Sequence, residues 1–339
     1  MGLTIKDIAK LANVSWTTVS RVLNNKPDVK PETRKLILDL IEQNNFEPNA
    51  FARGISSKKS NCVGLIIPSE VDYILNNSYY AQVIRGISTE FTKKGYFLMF
   101  LYTNDTEYLV SVFNQKRVDG FIMIRVGTND RNIVAELSTI EAPFVSTTKI
   151  MGEENLVFVD IDHYGAASMA VEHLVELGHR RIGMIAALNS LTNSKERIKA
   201  FHDTLNKHNI PIKEDMVEYA DTSMKGGYIA MKKMLEKKVE ITAVFAAGDV
   251  MAIGAMKAIK EQGKKIPGDI SIIGFDDIQE AEFTDPPLTT IKQPAFLKGK
   301  KAASQLIKKL DNKVHKIKSV QMDVELIIRN STAHYKSDQ

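Results

Sequence analysis

From residue 63 onward, short apolar runs alternate with longer amphipathic stretches, and that alternation restricts the fold more than any other feature of the chain. The apolar runs fall at residues 63–67, 97–101, 120–124, 143–146, 181–186, 242–246 and 271–275. Each has the length of a strand and is apolar enough to be covered on both faces, as parallel sheets are. Between them lie stretches with helical spacing, such as 165–177, 194–208 and 249–262. Such alternation means parallel sheets with helices on both faces. The runs form two successive series, each about the size of one domain, so two α/β lobes with a cleft between them are expected. Ligands in such folds gather at the carboxyl ends of the strands.

The first 60 residues follow a different pattern. Thr4 can cap a helix with Asp7 as its partner three residues on, and Ile5, Ile8, Ala9 and Ala12 line one face. Asn13 falls in a tight turn, where a left-handed backbone suits asparagine better than most residues. Ser15 caps a second helix, in which Val19, Val22 and Leu23 face inward at helical spacing. Pro31 suits the first turn of a third helix that buries Leu36, Ile37, Leu40 and Ile41. The second helix keeps an outward face too polar to bury, as in a helix-turn-helix whose second helix lies in a DNA groove. Charge agrees with the motif. Residues 1–60 carry ten Lys and Arg against six Asp and Glu, which accounts for the whole net charge of +4. Residues 49–60 are basic and rich in small side chains, and Gly54 weakens a helix there by about 1 kcal/mol relative to alanine. That segment reads as a linker that orders on binding, or as a passive basic spacer.

Other classes find little support. A single cysteine excludes an internal disulfide framework and fits a reducing compartment. Cys62 opens an apolar run and is most simply a small core residue. Without a basic-then-apolar leader or an apolar run of transmembrane length, a cytoplasmic protein with no membrane partner is expected. There is no His-Glu-x-x-His, no complete phosphate-binding loop and no dinucleotide-binding glycine pattern after a strand. The seven histidines lack metal-ligand spacing. No enzyme activity, catalytic residue, metal or cofactor is expected. A free-standing small-molecule receptor of the periplasmic-binding-protein type is the alternative, but it would have no use for a DNA-reading head.

Several segments in order along the chain carry a resemblance: Thr17 with Val19 to Asn24, Pro48-Asn49-Ala50, Leu177-Gly178-His179-Arg180-Arg181-Ile182, Gly274-Phe275-Asp276-Asp277 and Pro286-Pro287-Leu288-Thr289-Thr290-Ile291. From Thr4 to about Thr332 the chain resembles the lactose/galactose repressor (LacI/GalR) family of bacterial transcription regulators. The resemblance implies a three-helix head over 1–48, a hinge over 49–61 and a two-lobed body over 62–339. Lobe 1 would span about 62–161 and 294–322, and lobe 2 about 162–293 and 323–332, with crossings near Asp162, Pro294 and Asp323. It implies a homodimer on a near-palindromic DNA operator, controlled by a small polar, sugar-like effector in the cleft. No heptad repeat follows Asn330, so nothing points to a coiled-coil tetramer.

On the head, the resemblance assigns base reading to Trp16, Thr17 and Arg21. Arginine can donate twice to a guanine, worth about 1–3 kcal/mol of discrimination. Thr4, Ser20, Asn24, Thr33 and Arg34 would contact phosphates and set register, and Ser15 and Asn49 would belong to the same DNA-binding surface. Ile55 would enter the minor groove as an apolar wedge. In the cleft, Arg197 can fork to hydroxyls or a carboxylate, Asp276 can accept from a hydroxyl or ring nitrogen, and Tyr79 and Tyr80 can form an aromatic floor. Thr148, Gly248 and Thr222 occupy positions where the family often has an aspartate, an asparagine and an aromatic residue. The alternative for Arg197 and Asp276 is a structural ion pair holding the lobes together.

Overall fold

The computed structural model describes residues 3–23, 26–46, 59–67, 74, 77–124, 130–150, 152–153, 155–188, 192–237, 240–311 and 317–335. The chain divides into two compact units, 1–60 and 61–339. Each is described by itself. Asn24, Asn49, Ile55 and most of the 49–61 hinge lie outside the described residues.

The head holds α1 (Ile5–Leu11), α2 (Trp16–Leu23) and α3 (Pro31–Gln43). At the start of α1 the Asp7 carboxylate accepts from the Thr4 N–H at 2.9 Å and the Thr4 hydroxyl at 2.6 Å. Ser15 Oγ accepts the Thr18 N–H at 3.2 Å and opens α2. The turn between the helices places Asn13 at φ 51°, in the left-handed region. Ile8, Val19 and Ile37 are fully buried and meet Ala9, Ala12, Val22 and Phe46 in a small core. One expectation fails: Leu36 is 47% exposed. The inward stripe of α3 runs Ile37, Leu40, Ile41, and Leu36 sits about 100° around the helix from Ile37.

The body is built on two sheets. In the first, β1 (Cys62–Ile66), β2 (Phe97–Leu101), β3 (Gly120–Met123) and β4 (Phe144–Ser146) lie parallel in the order β2-β1-β3-β4. A parallel bridge from Ser146 to Phe158 leads on to β5 (Val159–Ile161), which pairs with β11 (Val320–Met322). The second sheet has β6 (Ile182–Ala187), β7 (Val217–Ala220), β8 (Ala243–Ala246) and β9 (Ser271–Ile273), parallel in the order β7-β6-β8-β9. A bridge from Ile273 to Thr289 joins β10 (Thr290–Lys292), which pairs antiparallel with β12 (Glu325–Ile327). The chain passes between the two sheets after β5, after β10 and after β11.

Helices α4 (Ser78–Lys93), α5 (Thr106–Asn114) and α6 (Arg131–Thr139) connect the first strands. The second series uses α7 (His163–Glu176), α8 (Thr192–Lys207), α9 (Met224–Glu236), α10 (Asp249–Glu261) and the short α11 (Gln279–Glu282). Finally, α12 (Ala295–Leu310) returns to pack on α4. That contact is backbone to backbone: a Cβ on Gly299 would stand 1.9 Å from the Val83 carbonyl oxygen, and one on Gly86 2.0 Å from that of Phe296. The two glycines therefore fix the closeness of the helices, and with it the position of Lys298.

All seven apolar runs form strands, with ends displaced by a residue or two. The strands at β5, β7, β10, β11 and β12 escaped the sequence reading, because they are short and partly polar. Cys62 is half-buried against the core, and burial pushes its thiol up. Among the described residues, no helix is long and apolar enough to cross a membrane.

Candidate functional site

The carboxyl ends of the strands of both sheets surround one small cavity of about 50 Å³. Tyr79 and Tyr80 reach it from the first turn of α4, Thr148 from just beyond β4 and Arg197 from α8. Thr222 follows β7, Gly248 precedes α10 and Asp276 lies just beyond β9. Every position singled out for the cleft therefore lines the same space. Asp276 is held at φ 126°, a conformation that L-residues rarely adopt and that costs of order 1–3 kcal/mol. Gly248 is extended, and a Cβ there would stand 3.6 Å from Asp276 Oδ2. Glycine at that position leaves one face of the Asp276 carboxylate uncovered.

His163, Gln293 and Lys298 also line the cavity. Together with Asp160 behind them, they close a ring of polar contacts. Lys298 Nζ donates to Asp160 Oδ1 at 2.7 Å and to the Tyr79 hydroxyl at 3.0 Å. The Tyr79 hydroxyl donates to Gln293 Oε1 at 3.0 Å, and Gln293 Nε2 donates to Asp276 Oδ1 at 2.6 Å. Asp276 stands 4.0 Å from Arg197 Nη2, which lies 3.2 Å from His163 Nδ1. His163 Nε2 lies 3.1 Å from Asp160 Oδ1, and the ring is complete. It links α4, α12 and β5 on the first sheet's side to α7, α8 and β9 on the second, across two of the three crossings.

Burial sets the charge states in this ring. Asp160 is almost sealed, yet Lys298 and His163 beside it hold its carboxyl far below the usual range. Lys298 loses hydration too, but Asp160 and Tyr79 keep the ammonium charged and push its pKa up. Burial drives His163 down to about 4 against the pull of Asp160, so the imidazole is neutral at pH 7. Burial lifts Asp276 to about 6 despite Arg197. Behind it Asp249, which accepts the Ile278 N–H at 2.9 Å and the Thr290 hydroxyl at 2.5 Å, is lifted to about 7 by burial and by the Asp276 charge.

On the head the arrangement is the reverse. Trp16 is 54% exposed on the outward face of α2, beside exposed Thr17 and Arg21. Arg21 pairs loosely with Asp28 at 3.5 Å, both side chains open to solvent. Thr33 and Arg34 sit half-buried in the first turn of α3, with Arg34 donating to the Lys26 carbonyl. A tryptophan left in water at a helix start contributes nothing to the head's core.

Residues 4–49 match the sequence profile of bacterial regulatory proteins of the lacI family, and residues 171–332 match the periplasmic binding protein-like domain. A Bacillus subtilis (strain 168) protein described as "Probable HTH-type transcriptional repressor ExuR" is 33% identical over 97% of this chain and 98% of its own. The chain belongs to the LacI family. Among solved structures, a lac repressor dimer bound to operator and the anti-inducer ONPF superposes with a TM-score of 0.84. It is 27% identical, over 98% of this chain and all of that one. A complex of the transcriptional regulator CelR with cellobiose gives 0.76 at 27% identity, over 97% and 99%.

As a LacI-family regulator, the chain combines a helix-turn-helix DNA-binding head with an effector-binding body. The relatives are transcriptional regulators. The sequence reading passed over Lys298, Gln293, His163 and Asp160. One signal was available: Lys298 lies one turn before Ala302, beside the small and apolar stripe of Gly299, Ala302, Ala303 and Leu306. Asp160 gave none, since an acid in a short strand reads as an edge residue until its partners are known.

Proposed function

We propose that this LacI-family repressor binds a near-palindromic operator as a homodimer and that a sugar-like ligand in the cleft sets its affinity. Trp16, Thr17 and Arg21 read base edges in the major groove, while Thr4, Ser15, Ser20, Asn24, Thr33, Arg34 and Asn49 hold phosphates. Ile55 acts as the minor-groove wedge. The dimer covers the edge strand β2, where Phe97 is 68% and Phe100 40% exposed, because an uncovered apolar edge invites aggregation. The protein works in the cytoplasm and carries no catalytic machinery.

The observation that supports ligand control is the convergence of Tyr79, Tyr80, Thr148, Arg197, Thr222, Gly248 and Asp276 on one enclosed space at the strand ends. The lac repressor structure carries an anti-inducer and the CelR structure carries cellobiose, which favours a sugar here. A cavity of about 50 Å³ holds a few waters and not a sugar. Ligand entry therefore requires lobe 1 (62–161, 294–322) and lobe 2 (162–293, 323–332) to part, which breaks contacts in the polar ring. A ligand shifts the lobe geometry only by its preference for one arrangement over the other. The test is a gel shift on palindromic duplexes at several salt concentrations, with and without candidate sugars. Salt-dependent, sequence-selective retention that changes with ligand supports the reading; equal retention of every duplex, indifferent to ligand, rejects it.

A further inference from the structure

We propose that the effector is an acid: a sugar-sized polyhydroxylated molecule whose carboxylate seats against Arg197 and Lys298. This deepens the ligand-control reading above and rests on it. Arg197 is 7% exposed, and its guanidinium lies 3.6 Å from the centroid of the Phe275 ring. Stacking holds the group flat and leaves it only in-plane donors. Nη1 donates to the Ala247 carbonyl. Nε has no partner, the one buried side-chain polar atom among the described residues left in that state. Its neighbour on the same edge, Nη2, carries two N–H groups: it donates to the neutral His163 imidazole at 3.2 Å and comes no nearer than 4.0 Å to Asp276. A guanidinium edge with Nε unused and a second N–H on Nη2 beyond its bond to His163 is the fork that accepts the two oxygens of a carboxylate. Asp276 does not take that place, because its Oδ1 is drawn to Gln293 at 2.6 Å.

The second cation comes from the opposite side of the cleft. Lys298 is 4% exposed and lines the same cavity. Two of its three donors are taken by Asp160 and Tyr79, and an ammonium can make a third bond. Asp160 in turn is saturated, accepting also from the backbone N–H groups of Lys149 at 2.8 Å and Ile161 at 2.9 Å. Two permanent cations thus border the space; the ionised Asp160 behind Lys298 offsets one of them, and Asp276, the carboxylate that lines the space, is one that burial makes reluctant to ionise. Hydroxyls can be met by Tyr80, Thr148, Thr222 and the open face of Asp276.

The experiment uses the full-length protein and three matched sets of probes: D-glucuronate and D-galacturonate, their uronamides, and the parent hexoses. Calorimetry and thermal shift read affinity for each. An acid that binds about tenfold or more tightly than its own amide supports the inference, since the two differ only in charge and donor pattern. Amide or hexose binding as tight as acid binding overturns it and leaves the ligand-control reading standing. No binding by any set overturns both. Lys298→Met should erase the acid preference and Lys298→Arg should keep it; a Lys298→Met protein that folds and still prefers the acid overturns the role of that residue. If Lys298→Met does not fold, the acid-to-amide ratio of the unmodified protein decides.

Discussion

The reading face of the head and the cleft of the body handle polar side chains in opposite ways. On α2 the outward groups stand in water, close together in sequence, with Thr17 bonded to its near neighbour Ser15 at 2.6 Å and Arg21 paired loosely with Asp28 at 3.5 Å. In the cleft they are drawn from both sheets, sealed from water and tied to one another. Water substitutes for a partner lost from the first set and cannot do so for the second. Changes to the head should therefore alter what is bound, while changes to the cleft should also alter whether the body folds.

The largest effect expected is at Lys298. Lys298→Ala leaves Asp160 buried without its main cation, and breaking such a pair costs about 3–5 kcal/mol. Denaturant unfolding of the body measures it; a loss under about 1 kcal/mol would show the ring to be structurally idle. Arg21→Ala probes the other region. It should remove about 1–3 kcal/mol of discrimination at one base pair while changing head stability by less than about 0.5 kcal/mol. An unchanged site preference in a selection from random duplexes contradicts base reading by Arg21.

Arg197→Ala should abolish the ligand-dependent change in operator affinity, a coupling typically worth about 5- to 150-fold. Titrations with and without ligand read this directly, and a variant that still responds normally removes Arg197 from the effector site. Ser15→Ala should cost the head about 1 kcal/mol through loss of its cap on α2. A melting temperature equal to that of the unmodified head rules out the capping role.

The remaining effect concerns pH. Asp249 and Asp276 are raised to about 7 and about 6, so the folded protein holds protons that the unfolded chain releases. Their contribution to stability is full below about pH 4 and is lost as pH rises through 6 and 7. His163, lowered to about 4, acts in the other direction: its contribution is full above about pH 6.5 and fades as pH falls toward 4. Asp249→Asn removes one raised acid, so the variant should gain on the unmodified protein between pH 5 and pH 8. A constant difference in melting temperature across that range argues against a raised Asp249.

The head was legible because its signals are local: a cap, a turn asparagine, an apolar stripe and an exposed tryptophan lie within 20 residues. Leu36 shows the limit of such a reading, since one position of drift around a helix separates core from solvent. The cleft was half legible. Asp276 stands in a recognisable segment and Arg197 early in the helix that follows a recognisable strand, whereas Lys298 acquires its meaning only from Tyr79 and Asp160, which lie 219 and 138 residues away in the chain.

The amino-acid order alone settled the class of the fold, the presence of a DNA-reading module and the family. Each depends on period, composition and short motifs, which are properties of neighbours. Tertiary structure decided the charge states of the cleft, the closure of its polar ring and the unused donor on Arg197. Those depend on which groups burial forces together, and desolvation is a property of the assembled protein that no segment carries by itself.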